Sequence, residues 1–324
     1  MAKETIGVIL LNMGGPSTLE EVEPFLFNLF SDRDIIRLGP FAFLQKFIAR
    51  KIARGRAPKS RESYRLIGGG SPLPRITKEQ GAELAAALAE QGDFRVTMAM
   101  RYWHPFATET LAEFKRDGIT RIVAITLYPH YSVATTGSSL KDLRTATAAV
   151  APAMTIVEID AWPDQPDYIA CLAGTIRDGL AHFAGQQAEV VYSAHSLPVK
   201  FIEEGDPYLE HINKTIAAVE QETGIKGHLC FQSRSGPVEW LSPSTPEMLE
   251  KLAKEGCKNI LMVPVSFVSD HVETLYEVDM LYKDMAKELG MELVRTQSLN
   301  TNPLFIKALK ELVLEASRKK GFLG

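Results

Sequence analysis

Six short strand-like runs, each closed by polar or aromatic residues and separated by helical patterns, constrain this chain more than any other feature. They are Thr5–Met13, Phe94–Met100 and Arg121–Leu127 in the first half, and Ala188–Ser193, Lys226–Phe231 and Asn259–Phe267 in the second. Short, mostly apolar runs of this kind suit parallel strands buried on both faces. Helical patterns alternate with them. Ser17 or Thr18, with Glu20 and Glu21, opens a helix carrying Phe25, Leu26, Leu29 and Phe30; Thr77–Gln91, Tyr168–Ala184, Tyr208–Thr223, Thr245–Glu255 and Phe305–Arg318 follow. The alternation predicts an α/β chain with doubly wound parallel sheets. A seam near Trp162-Pro163 divides it into halves, 1–160 and 161–324, with the last helix free to pack back on the first.

The 324 residues suffice for two domains of ordinary size, and 23% charged with 45% hydrophobic residues is the balance of a globular protein. A net charge of −4 gives no nucleic-acid footprint. The cysteines (Cys171, Cys230, Cys257) are odd in number and widely spaced, so neither a disulfide framework nor a thiolate metal site is expected, in keeping with a reducing cytoplasm. No apolar run reaches membrane-spanning length, and a strand begins almost at the first residue, so no signal or transit peptide is expected.

Functional side chains gather where strands end. Asn259–Tyr282 reads as a buried strand running into a helix capped by Ser269 or Asp270, with Asp270, His271, Glu273 and Glu277 at the joint. In open α/β sheets the carboxyl ends of strands are where ligands bind. Two readings are open: a capped, solvated first helical turn, or a site for something cationic or protic. His195, at the end of a neighbouring strand in SAHSLP, favours the second, because an imidazole facing carboxylates can carry a proton or a divalent metal. An oxygen and nitrogen donor set suits a metal that must be passed on, and no HExxH pattern argues for a zinc hydrolase. The strand-and-glycine start at MGGP lacks the spacing of a dinucleotide fingerprint. Lys46–Arg65 holds eight basic residues and one acid, Glu62, which reads either as a solvated basic helix or as a face for a membrane surface or an anionic small molecule. IGGGSP (Ile67–Pro72) reads either as a plain glycine turn or as a flexible loop whose backbone N–H groups and Ser71 can take a carboxylate.

LNMGGP (Leu11–Pro16), FNLFSDRD (Phe27–Asp34), YRLIGGGSP (Tyr64–Pro72), MRYWHP (Met100–Pro105), YPHYSVATTGSS (Tyr128–Ser139), SAHSLP (Ser193–Pro198), FQSRSGPVEWLSP (Phe231–Pro243) and SFVSDHVETLYEVD (Ser266–Asp279) together resemble ferrochelatase, collinearly and over nearly the whole chain. The resemblance implies two Rossmann-like lobes around a porphyrin cleft and insertion of Fe2+ into protoporphyrin IX in haem synthesis, with both as substrates. It implies that His195 and Glu273 form the catalytic and metal-contacting pair, and that Asp270, His271 and Glu277 form an acidic path for iron or protons. Met13, Leu26, Leu29, Arg56, Tyr64, Ser71, Arg101, Tyr102, Tyr128 and Trp240 become porphyrin contacts. Some members carry an iron–sulfur cluster on cysteines of a C-terminal extension and one in the TTGSS loop. Here that loop position is Val133 and the chain ends at Gly324 without such a cysteine, so no cluster and no tightly bound cofactor are expected. The same features suggest a bacterial, cytoplasmic form. Peripheral membrane association, and monomer against homodimer, stay open. A coproporphyrin III enzyme and a non-catalytic haem or metal carrier are the alternatives.

Overall fold

A computed structural model of the chain describes residues 4–323 apart from 37, 39, 40, 235 and 237; Ser235 and Pro237 of the FQSRSGP motif therefore lie outside the described residues. Two compact units emerge: one comprises residues up to Ala161 together with those from Ile306 onward, the other Trp162–Phe305. Among the described residues each unit holds one four-stranded sheet, parallel throughout.

In the first unit β1 (Ile6–Asn12) lies between β2 (Phe94–Met100) and β3 (Arg121–Thr126), and β4 (Thr155–Ile159) forms an edge beside β3. All seven residues of β1 are buried, as a central strand covered on both faces demands. Ile9 and Leu11 pack with Ile122 of β3 and with Leu111, Phe114, Leu140 and Leu143 from the flanking helices Ala107–Arg116 and Ser138–Val150. Each side chain so enclosed contributes roughly 1.5–3 kcal/mol of apolar transfer.

The second unit repeats the plan with β5 (Glu189–His195) between β6 (Gly227–Gln232) and β7 (Asn259–Pro264), and β8 (Glu292–Arg295) beside β7. Its core joins Val191, Cys230, Ile260 and Met262 to Met248, Leu249 and Leu252 of the helix Thr245–Lys254. Ser244 and Glu247 close a capping box at the start of that helix. In both units the chain crosses to one side of the first strand and then to the other. The strand order therefore reverses at the carboxyl end of β1 and of β5, the position where a crevice opens in doubly wound sheets.

Two edge strands, β4 and β8, were not expected from the sequence. Both are short, carry glutamate, and bury only part of their surface, so neither shows the apolar continuity of a central strand. The segment after β7 also differs from expectation. Its helix is capped at Val272, not at Ser269 or Asp270, and Glu273–Tyr282 is a π-helix before an α-helical turn, Lys283–Glu288, completes it. The wider i→i+5 winding is rare and recurs at functional sites.

Candidate active site

The residues at the reversal point of the second sheet meet in one cluster. His195 ends β5 and its ring Nδ1 stands 2.9 Å from Glu273 Oε2. The main chain of His195 is held on both sides: its N–H donates to Ser266 Oγ (3.0 Å), and its carbonyl accepts from Tyr208 Oη (2.9 Å). Pairing of β5 with β6 places Gln232 directly beside His195. Ser193 Oγ donates to Gln232 Oε1 (2.6 Å), which turns the amide so that Nε2 donates to Glu273 Oε2 (3.2 Å). Ser233 Oγ then lies 2.8 Å from Glu273 Oε2 and 2.7 Å from Glu277 Oε2. A hydroxyl has one proton to give, so both contacts are satisfied when Glu277 itself carries a proton.

The electrostatics follow from these contacts. Burial opposes ionisation of Glu273, but the neighbouring His195, His271 and the Ser233 hydroxyl outweigh it and hold its pKa well below the usual carboxylate range. Glu277 is pushed up to about 7 by burial and by the adjacent Glu273 charge. Partial removal from water lowers His195, yet Glu273 and then Glu277 raise it above the ordinary imidazole value. In the neutral form of the half-exposed His195 ring, with Nδ1–H directed at Glu273, the lone pair lies on Nε2. Glu273 Oε1 accepts no hydrogen bond among the described residues, and His271 Nε2 lies 4.0 Å from it. Burial lowers the His271 pKa, its Nδ1–H donates to the Ser269 carbonyl (3.0 Å), and its buried Nε2 has no hydrogen-bond partner among the described residues. A bare imidazole nitrogen and a bare carboxylate oxygen thus stand side by side, a pairing that can hold a proton or a cation.

Asp270 does not join them. Its carboxylate is bound by Arg295 (3.1 Å), Ser298 (2.7 Å), Asn300 (2.9 Å) and Thr274 (3.2 Å). Against burial, Asn300, Arg295 and the hydroxyls keep it ionised. Arg295 also grips Asp279 with two 2.8 Å bonds, so it ties the π-helix to the turn that precedes it. Trp240, bridged antiparallel to Pro198, lies in the strand-like stretch paired with the segment after His195, and its buried indole Nε1 has no hydrogen-bond partner among the described residues.

In the first unit the expected porphyrin contacts divide. Met13 is half-buried after β1, and its carbonyl accepts from Tyr102 N (2.9 Å). Arg101 and Tyr102 join a polar network on buried Asp32: Arg101 reaches it at 2.9 Å, Tyr102 Oη at 2.8 Å, and Ser138 Oγ bonds it as well. Burial drives the Tyr102 phenol far above its ordinary pKa, and burial likewise raises that of Tyr128. Leu26 is interior and Leu29 half-buried; the widely exposed apolar surface is instead Phe41, Phe43 and Phe47, at 57%, 77% and 61%.

The basic segment is a helix, Gln45–Leu66, but its cations do not all point to water. Arg50, Lys51 and Arg56 lie over the rings of Phe27, Phe47 and Phe30, and Arg54 and Arg61 approach Glu23. Tyr64 is buried near its end. The glycine loop is less available than the sequence suggests. The N–H groups of Ile67, Gly68, Gly69 and Ser71 donate to Tyr64, Arg65, Tyr64 and Pro16 carbonyls, and Ser71 Oγ accepts from Leu73 N. A side chain at Gly70 would strike the Ser17 carbonyl, and one at Gly15 would meet Ser71 Oγ at 2.5 Å. The glycines allow two turns to touch.

Sequence reasoning singled out neither Gln232, Ser233 and Arg295 nor Asp32. Three of them lie inside motifs already quoted, but a serine or glutamine at a strand end carries no signal until its partners are known.

The chain matches the ferrochelatase family model over residues 5–317. It is 58% identical over 311 residues to a ferrochelatase of Desulfotalea psychrophila, covering 96% of this chain and 97% of the relative, and 54% identical over 313 residues to one of Geotalea uraniireducens, with the same coverage. Among solved structures, SirB of Bacillus subtilis with Fe3+ superposes with a TM-score of 0.58 at 11% identity, covering 98% of this chain and 99% of SirB. CbiX, a terminal enzyme of sirohaem biosynthesis in denitrifying bacteria, gives 0.53 at 13%, covering 96% and 99%. These two likenesses concern the fold.

Proposed function

The chain belongs to the ferrochelatase family, lyases that insert Fe2+ into a porphyrin in haem biosynthesis, and we propose that His195 and Glu273 carry that reaction here, on protoporphyrin IX. The observation that carries the proposal is the 2.9 Å pair itself, standing at the point where the second sheet reverses. Insertion must remove two pyrrole protons and strip water from the metal. His195 Nε2 accepts a proton, and the imidazolium so formed is stabilised by the Glu273 carboxylate against its Nδ1–H. Glu273 Oε1 and His271 Nε2 offer Fe2+ or a proton a brief stop, and Glu277, with its raised pKa, exchanges protons near neutrality. Asp270 belongs to this path indirectly, by fixing the turn before the helix.

Met13 supports the choice of porphyrin. Its thioether offers apolar contact and no charge, which suits a ring with vinyl groups better than one with four propionates. Leu26, Leu29, Tyr64, Arg101, Tyr102, Tyr128 and Trp240 are the porphyrin contacts in this reading, with Arg56 and Ser71 for the propionates. The exposed Phe41, Phe43 and Phe47 beside a basic helix support peripheral contact with an anionic membrane surface. Among the described residues no helix is long and apolar enough to cross a membrane. The enzyme works in the cytoplasm without an iron–sulfur cluster; stoichiometric cluster absorption in the purified protein would contradict that. The test of the reaction is anaerobic: purified protein, Fe2+ and protoporphyrin IX should form haem well above the uncatalysed rate. Porphyrin or haem binding without turnover would favour a carrier.

A further inference from the structure

Ser233 stands out for its backbone. It is one of three non-glycine residues among those described with positive φ, at +64°, in the left-handed region that costs side chains other than glycine and asparagine free energy. It follows directly on β6, where Gln232 still pairs with His195. An extended or right-handed backbone would carry its side chain elsewhere. Left-handed, it puts Oγ between the two carboxylates of the π-helix, 2.8 Å from Glu273 and 2.7 Å from Glu277. Strain retained beside a functional group points to a task for the strained residue.

The task is legible in how the contacts on Glu273 are shared out. Oε2 takes three of them, from His195 Nδ1, Gln232 Nε2 and Ser233 Oγ, while Oε1 takes none. We propose that Ser233 is a positioning residue, which pins Glu273 Oε2 against His195 and ties it to Glu277 so that Oε1 is the oxygen presented to the incoming substrate. The proposal rests on the catalytic reading of His195 and Glu273. Ser233 touches neither substrate in this account; it fixes one rotamer of Glu273 and links the two turns of the π-helix.

The experiment compares Ser233→Gly and Ser233→Ala in the full chain, by anaerobic steady-state kinetics with Fe2+ and protoporphyrin IX and by thermal unfolding. Glycine relieves the backbone and alanine does not, but both remove Oγ. Ser233→Gly should therefore melt above Ser233→Ala, while both lose about tenfold to a hundredfold in kcat, with the porphyrin KM unchanged. A merely structural serine would make activity follow stability, so Ser233→Gly with wild-type kcat overturns the proposal. His195→Ala is the control that separates the two claims. If it retains wild-type turnover, the reading of the pair fails. If it is inactive while Ser233→Gly is not, only the positioning role fails.

Discussion

Replacing Arg295 by methionine keeps much of the aliphatic stem and deletes the guanidinium that clamps the π-helix. The side chain is 10% exposed and binds Asp279 through two 2.8 Å bonds, Asp270 at 3.1 Å, Ser298 at 3.0 Å and the Thr296 carbonyl at 3.2 Å. Breaking a buried ion pair by removing one partner costs about 3–5 kcal/mol. The lower end applies, because Asp279 is 36% exposed and can rehydrate, and Asp270 retains Ser298, Asn300 and Thr274. A loss of about 3 kcal/mol corresponds to a melting point roughly 6–12 °C lower for a unit of this size. The pH dependence has a definite sign. Asp270 is held below its unfolded pKa, so its contribution is present above the ordinary carboxylate range and is lost as pH falls through the folded value. The gap between wild type and variant should narrow in acid. Thermal unfolding across pH is the assay; a loss under about 1 kcal/mol, the value of a surface pair, would refute the clamp.

Removal from water pulls the His195 pKa down, but Glu273 more than restores it, so NMR titration should place His195 above the ordinary imidazole range. Glu273→Gln should lower that midpoint, since the charge favouring imidazolium is gone; an unchanged midpoint would uncouple the pair. In competition under identical iron and detergent, protoporphyrin IX should show the higher kcat/KM. A preference for coproporphyrin III would reassign the porphyrin and leave the chemistry of the pair untouched. Vesicles containing anionic lipid should sediment the wild-type protein, and replacing Phe41, Phe43 and Phe47 by serine should release it, with soluble turnover unchanged. Equal recovery of both proteins with vesicles would dismiss the membrane surface.

The central strands were legible because burial on both faces leaves an apolar run, as in β1 and β7. The edges β4 and β8 were not, for they keep polar residues on an open side. His195 and the cluster from Asp270 to Glu277 could be picked out because strand ends in such sheets are where ligands bind, and an imidazole with carboxylates there is costly without use; only the family resemblance singled out Glu273 among those acids. The π-winding from Glu273 to Tyr282 was not legible, since Glu273 and Glu277 share a face in either kind of helix. Nor was the division among the acids. Asp270 differs from Glu277 in its partners, Arg295 and Asn300, which lie far along the chain, and no local pattern reports them. The glycines of Ile67–Pro72 looked like an anion cradle but serve the close approach of two turns.

The most direct test of the central claim is a single anaerobic turnover, with protoporphyrin IX already bound and Fe2+ added, followed by the absorbance of haem. Wild-type protein should convert the bound porphyrin. His195→Ala and Glu273→Gln should bind porphyrin, melt close to wild type, and form haem at about the uncatalysed rate. Near-wild-type conversion by either variant with porphyrin bound would remove that residue from the reaction.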